Sequence, residues 1–411
     1  MIERDQLPNG LRIVTEHMPH VRSVSIGIWI GTGSRYENAA ENGISHFLEH
    51  MLFKGTENRT AAEIAEAFDQ IGGHVNAFTS KEYTCFYAKV LDEHASRAID
   101  ILADMFFSST FQEEEVEREK SVVLEEIKMV DDTPDDIVHD YLGEASYHNH
   151  PIGRPILGTE DTLEQFDRNT LQEYMDKHYS AENVVISLAG NVTESIREET
   201  KARFAEVPAK KEQRALTPPR FYQDKRTYQK RTEQAHLCLG FPGLEIGSDR
   251  MYTMILLNNY IGGSMSSKLF QEIREKRGLA YAVFSYHSAF QDTGMFTIYA
   301  GTAEDQLDEL FEATISTLTE VKQQGITSKD LENGKEQLKG NIMLSLESTN
   351  SRMSRNGKNE LMLGHHRSLD DVLALIQEVS VADLSEVAKA TFSNDYSLSL
   401  ISKEGQLPTS I

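Results

Sequence analysis

The segment HFLEHMLFKGT, His46 to Thr56, places two histidines and a glutamate within five residues. Around it, Ile44, Phe47, Leu48, Met51 and Leu52 recur at i, i+3, i+4, i+7 and i+8, which is one apolar face of an α-helix. His46, Glu49 and His50 fall together on another face. Two histidines one turn apart can present ring nitrogens to a single ion. Zinc suits such a set, because catalytic zinc takes three protein ligands and keeps a fourth position open. The glutamate need not bind the metal; beside an attacking water it can take a proton and later pass it to a leaving amine. The competing reading is a solvated polar helix face, and a third ligand is what separates the two.

Outward from this helix the first half alternates strands and helices. Strand patterns stand at LRIVTE near residue 11 and at VSIGIWIG, where Val24, Ile26, Ile28 and Ile30 alternate with Ser25, Gly27 and Trp29. Helical patterns follow at 44–53, 61–71, 94–106 and 113–130, with a strand expected across VNAFTSKEYTCFYAKV. The stretch from Val207 to Arg231 is basic, contains Pro218-Pro219 and has no lasting apolar period, so it reads as a linker. After it the same order restarts: HLCLGFPG as a strand, MYTMILLNNYIGG as a helix, YAVFSYHSAFQDTGMFTIYAG as a paired strand unit, then a long amphipathic helix. This predicts two α+β domains related by duplication, at 1–212 and 232–411, joined by a linker at 213–231. The second copy has Met254, Ile255 and Leu256 in its matching helix, so only the first half can carry the chemistry.

The 411 residues are too many for one comfortable core, which agrees with two domains. Asp and Glu outnumber Lys and Arg by 65 to 41, a formal charge of −24 that repels nucleic acid and anionic membranes and favours basic peptides if concentrated at a cleft. No apolar run is long enough to cross a bilayer, and the charged N-terminus has no signal core, so a cytoplasmic location is the expectation. Cys85 and Cys238 stand far apart in apolar runs and are expected as buried free thiols.

A third ligand has to come from elsewhere, and EEEVEREKSVVLEEIKMV, Glu113 to Val130, is rich in carboxylates. Most of these belong to a solvated acidic face. Glu119 and Glu126, seven apart, share a face; Glu125 and Glu126 point about 100° apart, so only one of them can face a given site.

His46-Phe47-Leu48-Glu49-His50 is the inverted H-x-x-E-H motif of inverzincins. Together with EREKSVVLEEI it makes the chain resemble the pitrilysin or M16 metallopeptidases, in the short-chain branch that includes the mitochondrial processing peptidase. LPNGLRIVTE, GTGSRYE, HPIGRPILGT and REKRGLAYAVFS extend the resemblance over nearly the whole chain. The resemblance implies two tandem domains, each an antiparallel-rich β-sheet covered by helices. It implies one Zn2+ per chain held by His46, His50 and Glu126, the last selected by the family spacing of about 76 residues from the second histidine. It makes Glu49 the general base and Glu119 an outer carboxylate that orients a ligand.

Further implications concern substrate and partners. The edge strand carrying Asn76, Ala77 and Phe78 would bind an extended peptide as an added strand. Arg274 and Tyr281 would grip substrate carbonyls, the tyrosine donating to the developing oxyanion. The expected activity is zinc-dependent endopeptidase cleavage of peptides or unfolded segments. A non-catalytic scaffold or a peptide clamp is the alternative. Because one chain carries both the metal motif and the Arg274/Tyr281 pair, a homodimer is the economical assembly, with a heterodimer of related subunits as the other option.

Overall fold

A computed structural model describes residues 2–209, 216–393 and 395–411; residues 213–215 of the expected linker lie outside them. The first half begins β1 (Ile2–Gln6), β2 (Arg12–His17), β3 (Ser23–Ile30), α1 (Ile44–Met51), α2 (Ala61–Asp69), β4 (His74–Thr79), β5 (Thr84–Leu91) and α3 (Ala95–Ser108). It continues with α4 (Glu113–Asp131), α5 (Pro134–Tyr147), α6 (Glu160–Glu164), α7 (Arg168–His178), β6 (Val184–Gly190) and α8 (Glu194–Phe204). The second half begins β7 (Lys225–Gln229), β8 (Ala235–Pro242), α9 (Met251–Ile261), a π-helical turn (Phe270–Lys276), β9 (Ala280–Ala289) and β10 (Gly294–Thr302). It ends with α10 (Leu307–Gln324), α11 (Ser328–Ser345), α12 (Thr349–Met362), α13 (Leu369–Glu378), α14 (Val381–Thr391) and β11 (Ser397–Ser402).

The strand orders establish the duplication. The first sheet runs β1-β2-β6-β3-β5-β4 and the second β7-β11-β8-β10-β9. Setting aside β1 and α8, the two halves match element for element. Each sheet has one parallel pair, β2 with β6 and β7 with β11, and its other pairs are antiparallel. Because a parallel pair needs a crossover, each sheet closes only after the intervening helices have been laid down.

Both faces of β3 are buried, and the alternation in its sequence shows by what. Val24, Ile26, Ile28 and Ile30 join the core formed with Phe47, Leu48, Ile99 and Leu102. On the opposite face Trp29 and Cys85 pack against Met353 of α12, and Ser25 Oγ lies 2.9 Å from Thr349 Oγ1. A Cβ on Gly357 would overlap the indole of Trp29, so glycine is what lets this helix approach the sheet.

This placement corrects the simple tandem cut. Although α12 lies late in the chain, it belongs to the compact unit of the first sheet, which comprises Met1–Lys128, Arg154–Leu216 and Leu344–His366. The other unit comprises Met129–Gly153, Thr217–Met343 and Arg367–Ile411. Within it α5, the counterpart of α12, packs Ile137, Val138, Leu142 and Tyr147 against Cys238, Met295, Tyr299 and Ile401. The halves have thus exchanged equivalent helices. A boundary at 213–231 divides the strands correctly but not these two helices, because an apolar helix face carries no mark of which sheet will bury it.

Two local expectations also change. VNAFTSKEYTCFYAKV is a hairpin, β4 and β5, closed where Ser80 N donates to the Tyr83 carbonyl at 2.8 Å. Part of the expected linker, Lys225–Gln229, is the edge strand β7, paired in parallel with β11. Its KRTYQ sequence shows no apolar period because an edge strand can stay polar and half-exposed.

Candidate metal centre

Helix α1 is anchored at its start by a carboxylate from outside it. Buried Glu37 accepts from Gly43 N at 2.8 Å through Oε2, from Ser45 N at 2.9 Å through Oε1, and from Asn42 Nδ2 at 3.1 Å. An anion at a helix N-terminus satisfies orphan amides and complements the dipole. Burial nevertheless pushes the Glu37 carboxyl up, against these hydrogen bonds. Gly43 takes the left-handed conformation at φ 97°, which lets the chain turn into the helix. Ser45 Oγ adds a 2.9 Å contact to Tyr174 OH on α7. With Ile44, Phe47, Leu48 and Met51 buried, the rotation of α1 is set, and His46, Glu49 and His50 emerge on its remaining face.

His46 Nε2 and His50 Nε2 face each other at 3.2 Å, and Glu126 Oε2 of α4 lies 3.6 Å from both. A tetrahedral ion with ligands at about 2.0–2.2 Å needs ligand atoms roughly 3.3–3.6 Å apart. The two distances to Glu126 meet that spacing and the His–His distance falls about 0.1 Å short of it before any ion is introduced, and the N, N, O donors suit zinc. Glu125 instead points to solvent and pairs with Lys128 at 2.7 Å, which decides between the two adjacent glutamates.

The surrounding groups prepare the donors. Burial, aided by the charge of His50, lowers His46 to about 3, so its ring is neutral and its lone pair available. Burial alone would lower His50 too, but the hydrogen bond and charge of Glu119, with Glu126 and Glu49, outweigh it and raise it. Glu119 Oε1 lies 2.8 Å from His50 Nδ1, which places a hydrogen on that nitrogen and leaves Nε2 facing the triad. Lys54 Nζ, 2.5 Å from Glu119 Oε2, forms an ion pair with this carboxylate. Although burial acts to raise Glu119, the His50 and Lys54 contacts hold it below the usual range. Burial raises Glu49, with the Thr79 hydrogen bond and the His50 charge opposing.

The other expected residues lie in two places. Asn76, Ala77 and Phe78 are on β4, one of the two edge strands of the first sheet. Asn76 is exposed, and its Oδ1 accepts the Ala77 amide at 2.8 Å. The Phe78 ring packs edge-on against Trp29 at 5.7 Å and is half-buried there. Arg274 and Tyr281 belong to the second unit. Arg274 Nη1 donates to the Tyr281 carbonyl at 2.9 Å, its guanidinium lies 4.3 Å from the ring centroid, and Tyr281 is 76% exposed.

Sequence reasoning did not single out Glu37, Lys54 or Thr79. Glu37 lies inside a segment used for the family resemblance and Lys54 four residues past the His-Glu-His motif, but nothing local says what they touch. Thr79 reaches Glu49 only because the hairpin folds β4 beside α1.

Two repeated α+β units, with a convergent His, His, Glu triad in the first, define a duplicated fold with a candidate metal centre. Residues 12–160 match the family described as Insulinase (Peptidase family M16), and residues 165–338 match the Peptidase M16 inactive domain. The uncharacterized zinc protease YmxG of Bacillus subtilis (strain 168) is 58% identical over 409 residues, covering 100% of both chains. An uncharacterized zinc protease of Streptomyces coelicolor is 43% identical, over 97% of this chain and 89% of that one. A solved protease structure from Helicobacter pylori has a TM-score of 0.91 at 23% identity, covering 98% and 99% of the two chains, a likeness of fold. The chain belongs to the M16 peptidase family.

No helix is long and apolar enough to cross a membrane among the described residues. Cys85 and Cys238 are buried free thiols, and burial raises both well above the usual range.

Proposed function

We propose that the chain is a zinc-dependent endopeptidase acting on extended peptides or unfolded segments, with one Zn2+ held by His46, His50 and Glu126. The observation that carries this reading is the 3.2, 3.6 and 3.6 Å triangle of donor atoms beside Glu49, on a helix next to a free sheet edge. Bound zinc supplies a Lewis acid that polarises the scissile carbonyl and acidifies the attacking water. Glu49 accepts the proton of that water and delivers it to the departing nitrogen. β4 receives the substrate as an added strand, its backbone providing the grip and Asn76 exchanging its contact with Ala77 for one to the peptide. Arg274 and Tyr281 hold substrate carbonyls, and the surplus acidic charge favours basic peptides.

The second half has Met254, Ile255 and Leu256 where the first has its ligands, so it contributes binding and no metal. Because one chain carries both the metal triad and the Arg274/Tyr281 pair, a homodimer is the economical assembly, with a heterodimer of related subunits as the other option. The test is cleavage of an unstructured basic peptide of about twenty residues by the zinc-loaded protein and its Glu49→Gln variant, with metal content measured for both. Turnover that disappears in the variant while zinc stays bound is expected. Binding of peptides without cleavage by either protein would favour a clamp.

A further inference from the structure

We propose that Thr79 is a positioning residue for Glu49, fixing which carboxylate oxygen carries the proton and tying the base to the substrate-binding strand. Thr79 is the last residue of β4, and its Oγ1 donates to Glu49 Oε2 at 2.6 Å, a length typical of a hydroxyl on a carboxylate. A hydroxyl has one proton to give. The nearest competitor, Thr84 Oγ1 at 3.4 Å, spends its own proton on the Thr32 carbonyl at 2.9 Å and accepts nothing comparable from Thr79. The Thr79 proton is therefore committed to Glu49.

A carboxylate free to rotate offers either oxygen to a reacting water, and misplacement by about 1 Å costs roughly 100-fold in rate. With Oε2 occupied, Oε1 is the oxygen that takes the proton. In the hydrolysis, a water O–H bond breaks as Oε1–H forms and the water oxygen bonds to the carbonyl carbon; Oε1–H then breaks as the proton joins the departing nitrogen and the carbon–nitrogen bond opens. The Thr79 hydrogen bond to Oε2 persists through both transfers. The donor sits on the strand that an extended peptide would lengthen, so ordering of β4 by substrate also orders the base.

This inference rests on the peptidase reading for its kinetic consequence, but its geometric core is testable separately. Thr79→Val removes the hydroxyl while keeping the branched shape and strand preference; Thr79→Ser keeps the hydroxyl. With zinc-loaded proteins and the basic peptide, Thr79→Val is expected to lower kcat about 10- to 100-fold, leaving KM and zinc content unchanged. Thr79→Ser is expected to keep most of the wild-type kcat. Crystal structures of the two variants and the parent should show the Glu49 carboxylate reoriented in Thr79→Val alone. An unchanged Glu49 orientation, a wild-type kcat in Thr79→Val, or equal losses in both variants would overturn the proposal. If the parent cuts no peptide, the peptidase reading fails, and the crystallographic comparison still decides whether Thr79 holds the carboxylate.

Discussion

His50 has a carboxylate 2.8 Å from its Nδ1, whereas the Nδ1 of His46 is buried without a hydrogen-bond partner among the described residues. The two ligands therefore meet the metal differently. His46 stays neutral down to about pH 3, but His50, raised by its acidic neighbours, carries a proton into the pH range above an ordinary histidine. Zinc must displace that proton, so affinity should fall as pH is lowered through the raised value. Calorimetry near pH 7 in buffers of different ionisation enthalpy should reveal proton release; a buffer-independent heat would contradict it. Glu119→Gln cannot hold the imidazolium. It should weaken zinc binding about 10- to 100-fold and diminish the proton release, as measured by chelator competition and the same calorimetry.

At the scale of elements, β4 has to be free on one side and well paired on the other. The Ala77 amide donates to the side chain of its own neighbour rather than to β5, so proline at 77 spares the ladder, and edge strands tolerate proline. Ala77→Pro should fold and bind zinc normally yet lose roughly 5- to 100-fold in kcat/KM, the worth of about 1–3 kcal/mol of backbone hydrogen bonding to substrate. A wild-type kcat/KM would remove β4 from substrate binding. Helix α12 makes the opposite demand, close packing without a gap. Gly357→Ala should destabilise the protein by about 1–3 kcal/mol through overlap with Trp29, read from urea unfolding.

For the whole molecule, buried histidines couple stability to pH. Burial lowers His46 to about 3 and His287 to about 4, and it also lowers His139 and His236. Their folded values lie below the unfolded one, so their contribution is present above about pH 6.5 and is lost as pH falls toward the folded values. His50, Glu37 and Glu49 are raised and act in the opposite sense. His287 Nε2 accepts the Leu244 amide at 3.0 Å and needs a neutral ring. The Tm of metal-free protein should therefore fall from pH 7 to pH 5, and fall less in His287→Gln. Equal pH dependence in the two proteins would exclude this coupling.

The amphipathic period of 44–52, the His-Glu-His spacing and the repeated order of strands and helices are local properties, so the sequence by itself determined the metal helix, the duplication and which half bears the ligands. Spacing narrowed the third ligand to a few glutamates on α4, and the family resemblance pointed to Glu126. The convergence of Glu126 Oε2 on two imidazoles, 80 and 76 residues earlier in the chain, became visible only when α4 was laid beside α1. The fully buried VVISLAG of β6 has no alternation to read, and its parallel pairing with β2 spans most of the first half. Tertiary structure also decided the exchange of α5 and α12, the hairpin that carries Thr79 to Glu49, and the Glu37 clasp on α1. Each depends on which surfaces meet. A helix face or a hydroxyl records in sequence what it can bury or donate, but its partner is chosen by packing across long stretches of chain.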